Sequence, residues 1–112
     1  MLMTESSVLR VLRLLDASPR LTQREMARDL GISLGKANYC LRALIGKGFV
    51  KVQNFRKSPN KRGYAYLLTP EGAAAKADLT RHFLARKREE YDALRLEIEQ
   101  LQKESESTKG AP

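Results

Sequence analysis

The sequence predicts a mainly α-helical fold with one small β-hairpin (α+β), and three observations support this. Apolar residues recur at helical spacing along most of the 112-residue chain. Strand-like alternation replaces this spacing between Phe49 and Leu68. A final segment repeats apolar residues every seven positions, which is typical of a long helix that pairs with another.

Three helices are expected before the hairpin, and the first spans residues 5–16. Thr22 and Glu25 form a predicted capping box at the start of the second, which should end at Gly31 because glycine suits the left-handed C′ position. Ser33 is the expected N-cap of the third helix, from Leu34 to about Ile45. The inner face of this helix carries Ala37, Leu41 and Leu44.

The hairpin is expected to pair residues 49–55 with residues 64–68 through a basic turn. The pattern does not decide which face of the first strand is buried, because Val50 and Val52 compete with Phe49 and Phe55.

Thr69 and Pro70 restart a helix that is expected to run to about Glu104. Five apolar residues of this helix occupy a and d heptad positions, with Lys87 as the polar exception; they are Leu84, Tyr91, Leu94, Ile98 and Leu101. We expect them to form a homodimer, although a single solvated helix held by ion pairs is the alternative. The predicted division is therefore a head at 1–69, a dimerisation helix at 70–104 and a disordered polar tail at 105–112.

The net positive charge of the chain lies in its first part. Residues 1–69 carry thirteen Lys and Arg against four Asp and Glu, whereas residues 70–112 carry eight against nine. No acidic residue lies between Leu30 and Pro70. A basic field in one contiguous segment is expected for a protein with a polyanionic partner.

Two helices with a tight turn, a third helix, a basic hairpin and a further helix together predict a winged helix-turn-helix fold, which places the third helix in the major groove of double-stranded DNA. The candidate recognition residues on this helix are Ser33, Gly35, Lys36, Asn38, Tyr39 and Arg42. The candidate wing residues are Arg56, Lys57, Lys61 and Arg62. The alternatives are an ordinary solvated helix face and a solubilising loop tip.

An enzyme is not expected, because no acid, base, nucleophile or metal set converges in the predicted fold. Cys40 is interpreted as a core residue rather than a redox sensor, and His82 as a surface residue. We expect no cofactor, no metal and no membrane span, and the chain lacks the features of a secretory signal, which favours a cytoplasmic protein.

The segment from Leu21 to Val50, with Tyr64 to Gly72, resembles the MarR-type winged-helix regulators. The pattern from Leu79 to Tyr91 is most similar to the small members of that group associated with exopolysaccharide gene clusters. The resemblance implies sequence-specific DNA binding by a dimer, with residues 33–42 as recognition helix and 56–63 as wing.

The chain departs from larger MarR proteins in its short N-terminal helix, which argues against the helical dimer domain that holds their small-molecule pocket. Dimerisation then falls to the helix from Pro70 onward. Two alternatives to a specific regulator remain open from the sequence: a winged-helix module that binds a protein partner, and a non-specific nucleic-acid-binding protein.

Overall fold

The computed structural model describes residues 3–54 and 64–109. The elements follow in the order α1 (Glu5–Ala17), α2 (Gln23–Leu30), α3 (Leu34–Gly46), β1 (Val50–Asn54), β2 (Tyr64–Leu68) and α4 (Pro70–Lys109). This order confirms the predicted mainly helical fold with a two-stranded hairpin and a long final helix. The chain divides into two compact units between Leu79 and Thr80.

The core of the N-terminal unit, residues 1–79, is built from one apolar face of each of the first three helices and from β1. The side chains of Leu12, Leu15, Met26, Ala37 and Leu44 are completely buried. Such burial contributes roughly 1.5–3 kcal/mol for each large aliphatic side chain. These contacts hold α2 and α3 against α1, so the exposed face of α3 has a fixed support.

The helix ends are set by local hydrogen bonds that the sequence predicted. The Thr22 hydroxyl accepts from the backbone N–H of Glu25 (3.1 Å) and donates to the Glu25 carboxylate (3.0 Å). Gly31 has φ +68°, and its N–H and that of Ile32 bond back to the last turn of α2. Ser33 then caps α3 by accepting from the Lys36 N–H at 3.1 Å. A three-residue connection thus ends one helix and starts the next.

The hairpin is antiparallel, with Val50 opposite Leu68 and Val52 opposite Tyr66. Val50 is buried and Val52 is 44% exposed, so the Val50/Val52 face is buried only at its start. Phe55, of the alternative face, lies outside the described residues. The described part of β1 is exposed after Val50, whereas β2 keeps Ala65 buried at 3% exposure opposite Gln53. On its other edge, β2 donates from the Tyr66 N–H to the Pro19 carbonyl at 2.9 Å.

The first turns of α4 belong to the N-terminal unit, because Ala75 and Leu79 pack against its core. Gly72 is buried there, and a Cβ at this position would lie 1.9 Å from the Phe49 carbonyl oxygen. Thr69 caps the helix by accepting from the Gly72 N–H, as its sequence position predicted. The predicted head boundary at residue 69 therefore lies ten residues before the division between the compact units.

The C-terminal unit, residues 80–112, consists in its described part of the remainder of α4. The helix continues to Lys109, so the prediction of a disordered tail from residue 105 is wrong for residues 105–109. The Gln100 amide donates to the Glu104 carboxylate at 3.2 Å, an i,i+4 hydrogen bond of the kind that stabilises a helix. The last three residues of the predicted tail lie outside the described residues.

Candidate nucleic-acid interface

The exposed face of α3 is the centre of the candidate interface. Gly35, Tyr39 and Arg42 recur at i, i+4 and i+7, and all three are exposed, as is Lys36 beside them. The buried residues of this helix, Ala37, Cys40, Leu41 and Leu44, occupy the opposite side. A Cβ at Gly35 would meet no other heavy atom within 4 Å, so the helix backbone is open at that point.

Asn38 differs from its sequence-based placement on the outer face of α3. It is half-buried, and its Nδ2 donates to Gln23 Oε1 at 3.1 Å. Gln23 Nε2 in turn donates to the Tyr66 hydroxyl at 3.2 Å. Asn38 lies on the edge of α3 that faces the start of α2, and this position explains its partial burial. Its role in reading bases stays a prediction.

These three side chains form a hydrogen-bonded chain, Asn38–Gln23–Tyr66, which we call the polar bridge. The bridge connects α3 to α2 and α2 to β2, so it joins the candidate recognition helix to the base of the hairpin. Neither Gln23 nor Tyr66 was among the site residues that the sequence predicted. Gln23 and Tyr66 are 43 residues apart, and no local pattern could have indicated their contact.

Other candidate contacts lie beside α3. An open groove of 780 Å³ lies between α2 and the start of α3, and it is lined by Thr22, Gln23, Arg24, Glu25, Arg28 and Leu34. Arg24 and Arg28 are exposed cations that the sequence analysis did not select. Leu34 is 43% exposed at the first position of α3. Its spacing with Ala37 and Leu41 suggests a core residue, but it lies at the helix end, beyond the core.

Two predicted roles receive a structural account. Ser33 acts as the cap of α3, so its hydroxyl is already engaged with the Lys36 N–H. Cys40 is buried at 4% exposure, and this burial raises the pKa of its thiol, with Lys36 opposing the rise. A protonated, buried thiol is a poor nucleophile, which supports the core interpretation. The wing residues Arg56, Lys57, Lys61 and Arg62 lie outside the described residues.

Within residues 3–54 and 64–109, no group of three or more His, Cys, Asp or Glu side chains could hold a metal ion. Across the same ranges, no helix combines the length and apolar character needed to cross a bilayer.

Comparison with known proteins identifies the fold. Residues 6–51 match a family of sequences described as winged helix-turn-helix DNA-binding. The N-terminal unit is a winged helix-turn-helix. No curated protein matches this chain.

Solved structures of MarR-family and related regulators share the fold. A mutant of Staphylococcus aureus MepR superposes with a TM-score of 0.66 at 19% identity, covering 89% of this chain and 77% of that one. Streptococcus pneumoniae FabT in complex with DNA superposes with a TM-score of 0.62 at 16% identity, covering 91% of this chain and 73% of that one. A mutant of Escherichia coli MarR complexed with operator DNA superposes with a TM-score of 0.58 at 23% identity, covering 86% of this chain and 74% of that one. At these identities the similarity establishes the shared fold.

Proposed function

We propose that this chain is a MarR-type transcriptional regulator that binds double-stranded DNA sequence-specifically as a homodimer and has no enzymatic activity. The observation that carries the proposal is the exposed face of α3, with Gly35, Lys36, Tyr39 and Arg42, in a segment from Gly31 to Thr69 that contains no acidic residue. A rigid helix with this surface suits the major groove, which is wide enough to admit it.

Each residue of this face has a role that follows from its chemistry. Lys36, near the start of α3, can donate to guanine, and Arg42, almost two turns later, is suited to a phosphate. Gly35 permits close approach of the helix backbone. The exposed methyl groups of Leu34 suit the methyl group of thymine. Lys61 and Arg62 would contact the adjacent minor groove or its phosphates from the wing.

Similar structures support the assignment of DNA as the ligand. FabT and the MarR mutant were both solved with DNA bound, and both share the fold of this chain. The alternative, a winged-helix module for a protein partner, fits the charge pattern less well, because protein interfaces are generally depleted in lysine.

The homodimer is proposed to form through α4. Leu84, Tyr91, Leu94, Ile98 and Leu101 are between 46% and 66% exposed. Contiguous exposed apolar side chains on a helix are unfavourable in water unless another surface covers them. A second copy of the same helix provides a matching surface. Two heads would then read a two-fold symmetric operator with half-sites one helical turn apart or a multiple of it.

The proposed targets are exopolysaccharide or other cell-surface genes. This part of the proposal depends on the resemblance of residues 79–91 to the small regulators associated with such gene clusters. A binding site recovered in vitro should therefore occur upstream of genes of that class in the source genome.

The decisive experiment is selection of bound duplexes from a random DNA library at two salt concentrations. We expect an enriched inverted repeat that persists at the higher salt concentration. Retention without enrichment, lost as salt rises, would indicate a non-specific basic surface instead, because counterion release governs such binding. Absence of DNA retention at low salt would favour the protein-interaction module.

A further inference from the structure

The five apolar residues of the dimerisation surface define their heptad positions without ambiguity. The steps between Leu84, Lys87, Tyr91, Leu94, Ile98 and Leu101 alternate between three and four residues. Only an assignment of Leu84, Tyr91 and Ile98 to a, and of Lys87, Leu94 and Leu101 to d, fits this alternation. Ile98 at a with Leu94 and Leu101 at d is the arrangement that favours a two-stranded coiled coil.

The flanking positions then separate by charge. The g positions, each directly before an a residue, hold Phe83, Glu90, Glu97 and Glu104. The e positions, each directly after a d residue, hold Arg88, Arg95 and Gln102 within the same stretch. One edge of the apolar surface is therefore acidic and the other is basic. All six charged or amide side chains are exposed and can reach a partner helix.

From this pattern we infer that two copies of α4 pair in parallel, an inference that rests on the proposed homodimer. In a parallel pair, each g residue faces the e residue of the next heptad on the other helix, so Glu90 meets the partner's Arg95. Symmetry gives this ion pair twice. The same arrangement places Glu97 opposite the partner's Gln102, which can donate to its carboxylate.

Antiparallel pairing would juxtapose like charges. With full overlap of the apolar surface, g faces g and e faces e, so Glu90 meets the partner's Glu97 and Arg88 meets the partner's Arg95. Each of these repulsive contacts also occurs twice. The antiparallel pair therefore has four like-charge contacts where the parallel pair has opposite charges or an amide.

Lys87 at position d is consistent with the parallel pair. Its Nζ lies 3.1 Å from Glu90 Oε2 on its own helix, and both side chains are largely exposed. In the parallel pair Lys87 faces the partner's Lys87, and each ammonium has its own carboxylate at the edge of the interface. In the antiparallel pair Lys87 would face the partner's Ile98 and keep the same intrahelical ion pair, so the orientation is decided by the flanking charges and not by Lys87.

Parallel pairing has a consequence for the heads. The residues that precede Thr80 in both chains then join the coiled coil at the same end. Two heads that share one end are suited to a single inverted repeat. Antiparallel pairing would attach the heads at opposite ends of the paired helices.

The test uses two single-cysteine variants of the full chain in a Cys40→Ala background. Leu84→Cys and Leu101→Cys are prepared with affinity tags of different size, mixed, and equilibrated in a glutathione redox buffer. Parallel pairing predicts disulfides between identical variants only, because Leu84 and the partner's Leu101 would lie about 25 Å apart along the axis, at about 1.5 Å per residue. A disulfide needs Cα atoms within about 7 Å.

The outcomes separate the orientation from the dimer itself. Predominant mixed disulfides, in a chain that sediments as a dimer, overturn the parallel orientation and leave the homodimer in place. A native chain that sediments as a monomer at micromolar concentration overturns both. Cys40→Ala alone serves as the control, and it should remain dimeric without any disulfide.

A charge exchange provides a second measurement that keeps the apolar residues intact. We expect Glu90→Arg and Arg95→Glu each to weaken dimerisation about 2- to 10-fold, within the range for exposed ion pairs that occur twice. The double variant restores the opposite charges in a parallel pair, so it should dimerise more tightly than the two single effects combined predict. Additive single effects would contradict the inference.

Discussion

Asn38 can both position α3 and contact a base. For the first role, one of its amide hydrogens is donated to Gln23 Oε1. Its second amide hydrogen and its carbonyl oxygen leave it able to form the paired bonds that asparagine makes with adenine. We expect Asn38→Ala to reduce the preference for the selected operator over random DNA by about 10- to 100-fold, from the ~1–3 kcal/mol of such a pair. Competition binding with both DNAs measures this. Equal losses on both would show a purely positioning role.

Gly35 leaves open backbone in the exposed stripe of α3, and its replacement can separate stability from binding. Because a Cβ there meets no heavy atom within 4 Å, Gly35→Ala should raise the free energy of unfolding by about 0.5–1 kcal/mol. The same methyl group should weaken operator binding if the backbone approaches DNA. Thermal unfolding and DNA titration of one preparation measure both effects.

The matched control is Gly46→Ala, at the far end of α3, where a Cβ also meets nothing within 4 Å. It should leave DNA affinity unchanged. If Gly35→Ala binds the operator as tightly as the native chain, close approach of the backbone at Gly35 is refuted.

Cys40 should give the molecule a measurable dependence on alkaline pH. Burial raises the pKa of its thiol, against the opposing effect of Lys36. The unfolded chain has the ordinary pKa, so it loses the thiol proton first as pH rises, and the folded state is then disfavoured. Stability from the protonated thiol is therefore complete below the ordinary pKa and is lost as pH rises through the raised pKa of the folded state.

We expect denaturant unfolding of the native chain to show a larger loss of free energy above about pH 9 than Cys40→Ala shows. The difference should begin at the ordinary pKa of the thiol and grow as pH rises toward the raised pKa of the folded state. The comparison removes the titration of lysine and tyrosine, which both proteins share. Parallel curves for the two proteins would indicate that the thiol titrates normally.

At the scale of elements, the polar bridge sets how α3 lies against α2 and the hairpin. Tyr66→Phe removes only the hydroxyl that accepts from Gln23 Nε2. The loss should cost about 0.5–1.5 kcal/mol of folding free energy. It should also weaken binding to operator and random DNA alike, because the orientation of the whole helix changes. Chemical unfolding and DNA titration at constant salt measure the two effects.

Tyr64→Phe is the matched control, since Tyr64 lies on the same strand and is 56% exposed. It should change the free energy of unfolding by less than about 0.5 kcal/mol, as is usual for exposed positions. A Tyr66→Phe effect no larger than the Tyr64→Phe effect would mean that the bridge does not position α3.

The caps and bounds of the first three helices were predictable, because Thr22, Gly31 and Ser33 act on neighbours within three or four residues. The contacts of Gln23 were not, since they depend on how α2 packs against distant segments. Leu34 shows a related limit, because helical spacing gives the face of a residue but not where the core ends.

The whole molecule separates its charges, with thirteen Lys and Arg against four acids in residues 1–69 and eight against nine in residues 70–112. If the basic segment neutralises phosphates, the logarithm of the binding constant should fall linearly with the logarithm of salt concentration. The slope should steepen by about 0.9 for each phosphate neutralised. Lys36→Gln combined with Arg42→Gln should then lower the slope by up to about two.

The control for this last prediction places the same charge change on α4. Arg86 and Lys103 are exposed, and they lie at c and f positions away from the proposed pairing surface. Arg86→Gln with Lys103→Gln removes two positive charges as well, but should leave the slope unchanged. Because both double variants have the same net charge, a difference between their slopes reports location and not total charge. Equal reductions in the two would mean that DNA responds to the net charge of the molecule, and α3 would then lose its assignment as the contact surface.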